Sequence, residues 1–133
     1  MTLREVLHAH IPTLTMQSTL RDAIDKMDIY QFPSLVLVDE NNSPIGVLTE
    51  GDVCRAAGGR GSVVSLANEP AHLYATRHPT VAPIDMEIAD AFHMMLMSGL
   101  TILPITRESV LMGIVLRVDL MQAMLTDLTD STV

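Results

Sequence analysis

Tryptophan is absent from this chain, and aromatic residues of all kinds make up only 3% of it. Any core must therefore be filled by Leu, Val, Ile, Ala and the ten Met, the last suited to irregular gaps. Basic residues are scarce too: eight Lys and Arg stand against sixteen Asp and Glu, for a net charge of −8. That balance argues against nucleic acid as a partner, because phosphates attract basic surfaces. Apolar runs such as Val36-Leu37-Val38 are far too short to span a bilayer. The N-terminus, Met1-Thr2-Leu3-Arg4-Glu5, lacks the basic region and apolar stretch of a signal peptide. A lone Cys54 excludes an intrachain disulfide framework and fits a reducing compartment. The expectation is a soluble cytoplasmic protein with no membrane contact.

What is there is an internal repeat. Hydrophobic residues form 48% of the 133, enough for one compact domain or for two half-units that share a core. Pro12-Thr13-Leu14 opens one stretch and Pro79-Thr80-Val81 opens another. Asp22-Ala23 is answered by Asp90-Ala91, Met27 by Met95, Gly46-Val47-Leu48 by Gly113-Ile114-Val115, and Asp52-Val53 by Asp119-Leu120. The spacing shifts by one residue across Glu40-Asn41-Asn42-Ser43-Pro44, turn residues where a length change is tolerated.

Each copy predicts the same elements. A short extended piece comes first, at Thr13 to Thr15 and at Thr80 to Ala82. A helix follows, with Leu20, Ala23, Ile24, Met27 and Tyr30 on its apolar face in the first copy. Ile88, Ala91, Phe92 and Met95 take those places in the second, and Ser98-Gly99 supplies a C-cap. Two strands come next, Leu35 to Val38 with Ile45 to Leu48, and Ile102 to Ile105 with Val110 to Leu116. A last helix then opens at Asp52 or Asp119, either of which suits an N-cap. Gly58-Gly59-Arg60-Gly61-Ser62 reads as a flexible turn between copies. The fold class is α/β (α+β): two βαββα motifs packed as one pseudo-twofold module, spanning 1–62 and 63–126, with a frayed tail at 127–133.

This doubled order resembles the CBS-domain pair, or Bateman module. Gly46-Val47-Leu48-Thr49-Glu50-Gly51-Asp52-Val53 matches the family's pattern of Gly, two apolar residues, Thr or Ser, two variable residues, Asp and an apolar residue. The second copy reads Gly113-Ile114-Val115-Leu116-Arg117-Val118-Asp119-Leu120, with Leu116 where Thr or Ser is expected. Leu103-Pro104-Ile105 is similar to the family's Leu-Pro-Val strand; Leu35-Val36-Leu37 lacks its proline. The resemblance implies a regulatory module that binds an adenine-type ligand, forms a homodimer, acts on an unidentified protein and catalyses nothing. It also implies composite clefts, one joining Thr49 and Asp52 to Thr80, Val81, Ala82, Ile102, Leu103 and Pro104. A weaker one joins Asp119 to Thr13, Leu14, Thr15, Ser34, Leu35 and Val36. A carboxylate suits the two vicinal hydroxyls of a ribose, and a hydroxyl beside it suits a phosphate or ribose oxygen.

Thr101-Ile102 and Pro33-Ser34 are uncharged where family members that grip several phosphates carry basic residues. Arg55 and Arg117 are the nearest cations by sequence. AMP, ADP or an S-adenosylmethionine-like compound is therefore favoured over ATP, and no cofactor is required. The alternative is a dimeric scaffold or interaction module without a ligand, in which Asp52 and Asp119 only cap helices. His93, Met94, Met95 and Met97 invite a copper site, but Met95 falls on the core face and no metal is expected. His8 and His10 have no carboxylate or thiol at ligand spacing, and Cys54 reads as a half-buried thiol without a catalytic partner.

Overall fold

In a computed structural model, which describes residues 1–131 apart from the side chains at 60 and 127–131, both copies fold in the order β, α, β, β, α. The first comprises β1 (Thr13–Leu14), α1 (Leu20–Tyr30), β2 (Ser34–Val38), β3 (Pro44–Thr49) and α2 (Glu50–Arg60). A further strand, β4 (Thr76–Arg77), follows two short 3-10 turns. The second copy comprises β5 (Ala82–Pro83), α3 (Ile88–Ser98), β6 (Ile102–Arg107), β7 (Val110–Leu116) and α4 (Arg117–Ser131). Two sheets result, ordered β1-β2-β3-β4 and β5-β6-β7. In each, the short first strand runs parallel to its neighbour and the hairpin is antiparallel.

The apolar pattern explains the elements. Residues 34–38 are buried throughout, as an apolar strand covered on both faces must be. In α1, Leu20 and Ala23 are buried and Ile24 and Met27 half-buried, the spacing of a single helical stripe. Tyr30 is 54% exposed and leaves that stripe, because it ends the helix just before Gln31 turns left-handed at φ 60°. In α3, Ile88, Ala91 and Met95 are buried, and Gly99 ends the helix at φ 63°, which a residue without a β-carbon adopts freely. The Gly58 to Ser62 segment is not a free turn: Gly58 and Gly59 lie inside α2, and Gly61 is its left-handed C-cap.

Contacts divide the chain into two units that cross the linear repeat. One is Pro12–Pro79; the other joins Met1–Ile11 to the residues from Thr80 onward. The units differ from the linear motifs because the segment leading each copy gives its backbone hydrogen bonds elsewhere. The His8 N–H donates to the Ile114 carbonyl at 2.8 Å and the Ile114 N–H returns the bond at 3.1 Å; Leu3 and Arg4 donate to Met86 and Ile84. In the other unit β4 pairs with β3, and the Leu20 N–H donates to Glu69. The motif glycines make room for these additions. A β-carbon at Gly113 would collide with the His8 carbonyl oxygen, and one at Gly46 would lie 3.0 Å from the Thr76 carbonyl oxygen. Each unit has its own core, Leu14, Leu20, Leu35, Leu37, Leu48 and Leu66 in one, Leu3, Ile88, Met95, Leu103, Ile105 and Leu120 in the other. The tail expected at 127–133 is helical in α4 as far as Ser131; residues 132 and 133 lie outside the described residues.

Candidate functional site

Thr49 closes β3 and is the N-cap of α2, with extended backbone at φ −104° and ψ 161°. Its Oγ1 accepts from the Asp52 N–H at 3.0 Å, and Asp52 Oδ2 accepts from the Thr49 N–H at 2.9 Å. Two N–H groups that a helix start leaves without partners are satisfied reciprocally, as in a capping box with Asp in the acidic place. Asp52 is therefore the third residue of the helix, and the cap is Thr49. The second carboxylate oxygen, Oδ1, accepts from Arg55 Nη2 at 2.6 Å. Asp52 is 14% exposed and Arg55 73%, so the carboxylate is held in place while its cation stands in solvent.

The second copy keeps only half of this arrangement. Asp119 Oδ2 accepts from the Leu116 N–H at 2.8 Å, again as the third residue of its helix rather than its cap. Leu116 has no hydroxyl to return. The same oxygen meets His8 Nε2 at 2.8 Å, across 111 residues of chain, where the sequence offered His8 no carboxylate. A shallow groove of about 380 Å³ beside Asp119 also holds Glu5, a second carboxylate, and Gln122. Arg117 turns away, its Nε donating to the Leu100 carbonyl at 2.8 Å.

The other candidate residues distribute as follows. Thr49 and Asp52 belong to the Pro12–Pro79 unit, whereas Thr80, Val81, Ala82, Ile102, Leu103 and Pro104 belong to the other. Within the first unit the sheet sets Ser34 directly opposite Thr49 and Thr13 opposite Val36. Residues assigned by resemblance to the second cleft thus share a sheet end with the Thr49 turn. Within the second unit Ile102 stands opposite Leu116, and Ala82 opposite Ile105. Leu14, Leu35, Val36, Ala82, Ile102 and Leu103 are buried, Ser34 is the one buried polar side chain among the described residues, and Thr80 and Val81 are exposed. Thr15 is held locally, its N–H donating to Ser18 Oγ.

Two stretches, residues 3–59 and 71–126, match the family model of the CBS domain. The chain belongs to the CBS-domain family. This CBS pair is 33% identical over 108 residues, 80% of its length, to an uncharacterised 17.7 kDa protein of Acidianus ambivalens, of which the match spans 63%. Its fold is shared with the crystal structure of CBSX2 in complex with AMP (TM-score 0.81, 19% identity, 94% of this chain and 96% of that one). It is shared as well with an acetoin utilization protein (AcuB), so described as putative, from Vibrio cholerae (TM-score 0.82, 21% identity, 97% and 93%).

The other polar candidates in this CBS pair are dispersed. Met95 is buried in the core, Met94 is half-buried, and His93 and Met97 are exposed, so the four do not share a face of α3. No three His, Cys, Asp or Glu side chains stand together at metal-binding distance among the described residues. Cys54 is exposed rather than half-buried. The reading of the sequence missed two features. Thr19 and Asp22 form a second capping box at the start of α1, a Thr-x-x-Asp signal before an apolar run that was open to inspection. No sequence signal links His8 to Asp119.

Proposed function

We propose that this chain is a regulatory module that binds an adenine-type ligand, AMP, ADP or an S-adenosylmethionine-like compound, through Thr49 and Asp52, and that it catalyses no reaction. The observation that carries the reading is the state of the Asp52 carboxylate. One oxygen is locked to the Thr49 N–H, while the other is held only by the exposed Arg55 guanidinium. A ribose diol can replace Arg55 there, and the released guanidinium is the cation for a phosphate, which it binds through its planar fork. One such cation suits few phosphates better than three. Membership of the CBS family and the AMP carried by CBSX2 support the same ligand class. The second site is the weaker one, since Asp119 lacks a neighbouring hydroxyl and shares its groove with Glu5.

A thermal-shift screen against adenosine, AMP, ADP, ATP, S-adenosylmethionine and NAD, with guanosine and pyrimidine counterparts, tests this. A ligand at one hundred times its dissociation constant stabilises by about 2.7 kcal/mol. That moves the melting point on the order of 3 to 8 °C for a domain of this size. No shift at millimolar adenine compounds favours a dimeric scaffold instead, a reading supported by the way Thr49 and Asp52 already satisfy each other.

Either reading includes a homodimer that works in the cytoplasm and acts on a partner protein. Val118, Met121 and Leu125, spaced along one side of α4, are exposed. In the other unit a groove of about 470 Å³ between α1 and α2 is lined by Ile24, Met27, Val53 and Val63. Apolar surface of this kind suits a second copy. Light scattering that returns a monomer mass at every concentration overturns it. The single exposed Cys54 fits a reducing compartment, and no helix among the described residues is long and apolar enough to cross a membrane.

A further inference from the structure

We propose that the Pro12–Pro79 unit carries a separate site for a small organic anion with a short apolar body, in a groove bounded by β4. The groove measures about 510 Å³, within the range of small-molecule sites. Met16, Leu37, Pro44 and Ile45 line it together with His72, Arg77 and His78. No Asp or Glu is among its lining residues, in a chain that carries sixteen of them against eight Lys and Arg. Arg4, Arg55 and Arg117 are each committed, to Asp85, Asp52 and the Leu100 carbonyl. Among the described residues, no hydrogen bond or ion pair engages the side chains of His72, Arg77 or His78.

One guanidinium and two imidazoles, with no carboxylate among the lining residues, favour an anion in this groove of an otherwise acidic protein. The Arg77 guanidinium presents a planar fork that matches carboxylate or phosphate oxygens two at a time. Its place is set by the fold: Arg77 pairs with Gly46, where a β-carbon would press on the Thr76 carbonyl, so glycine lets β4 lie close on β3. His78, next to it, holds φ at 53°, outside the range most residues with a β-carbon adopt. The apolar lining gives the ligand body a surface to cover, and this separates the site from one that takes inorganic ions.

The groove is distinct from the Thr49–Asp52 turn. Thr49 faces Ser34 at one end of the β2–β3 ladder, while Gly46 faces Leu37 three residue pairs further along, roughly 10 Å away at the rise of a strand. Asp39 and Glu40, in the hairpin turn between β2 and β3, line a neighbouring groove that shares Met16. Asp39 Oδ1 is already taken by the Asn41 and Ser43 N–H groups.

Hexyl phosphate and hexanoate are the probes, titrated into the full chain and followed by calorimetry and by the ring-proton NMR signals of His72 and His78. The expected result is saturable binding of at least one probe that moves both histidine signals. Arg77→Gln should weaken it about tenfold, the loss of a charge-assisted contact, and His78→Gln should weaken it less. Asp52→Ala should leave it unchanged, whatever becomes of adenine binding. Equal binding by hexanol or hexylammonium, or full affinity in a folded Arg77→Gln variant, overturns the anion assignment. Inorganic phosphate binding as tightly as hexyl phosphate overturns the apolar half of it, and no saturation at millimolar probe overturns the site.

Discussion

In the Pro12–Pro79 unit both long helices start from the same device. Thr19 with Asp22 opens α1 and Thr49 with Asp52 opens α2, each pair bonding hydroxyl to N–H and N–H to carboxylate. Neither long helix of the other unit does so: Glu87 precedes α3 with no side-chain cap, and α4 keeps Asp119 but has Leu116 in place of the hydroxyl. The comparison teaches that Thr-x-x-Asp is first a way to begin a helix. The box on α1 has no ligand reading at all, so the spacing alone does not announce a nucleoside site. What separates the candidates is how each carboxylate is engaged. At Asp52 the oxygen not bound to Thr49 meets a solvent-exposed Arg55, whereas at Asp119 the oxygen that already accepts from the Leu116 N–H also meets His8, whose side chain is 42% exposed.

The hardest test of the difference between units is at their motif glycines. Gly113→Ala drives a β-carbon into the His8 carbonyl and to 2.7 Å from Leu7 Cδ1, and should cost about 3 kcal/mol, since backbone must move. Gly46→Ala meets the Thr76 carbonyl at 3.0 Å and should cost about 1 kcal/mol. Urea unfolding of the two variants measures both, and equal losses would mean that the leading segment does not press on β7 as described.

Ligand binding should divide the units next. Asp52→Ala removes a hydrogen-bonded carboxylate from the proposed site, an expected loss of about 1.5 to 3 kcal/mol, or roughly tenfold to hundredfold in affinity. Asp119→Ala should leave the tight event nearly intact. Calorimetry with AMP compares the two; loss confined to Asp119→Ala would reverse the assignment of the sites.

A smaller contrast concerns the helix starts themselves. Thr49→Ala breaks a complete box and should cost about 1 kcal/mol. Leu116→Thr completes the half-box on α4 and should return several tenths of a kcal/mol, a gain visible in thermal melts only if Leu116, half-buried here, gives up little packing. A loss on completing the box would show that packing outweighs the cap at that position.

The smallest effect is in acid. Hydrogen bonds from the Thr19 backbone and side chain hold the Asp22 carboxyl below its ordinary value of 3.8. Because the folded group gives up its proton more readily than the unfolded one, its contribution is complete above that value and lost as pH falls through the lowered one. Carboxyl NMR titration should find Asp22 shifted down in the wild type and only partly restored in Thr19→Ala, which keeps the backbone N–H that is the larger cause.

The sequence by itself determined the repeat, the order of elements and the Thr49-to-Asp52 turn, because periodicity, caps and turn residues act over a few neighbours. Leu20, Ala23, Ile88, Ala91 and Met95 fall on buried helix faces for that reason, and Leu35 to Val38 form the covered strand. Tertiary structure decided the rest. It carried Met1–Ile11 to the unit built from Thr80 onward, since that segment's N–H and C=O groups find partners on β7 and around Ile84 to Met86 rather than nearby. It also brought His8 to Asp119, 111 residues away along the chain. Contacts across such distances depend on where the backbone closes its hydrogen bonds, and no local pattern of residue types encodes that choice.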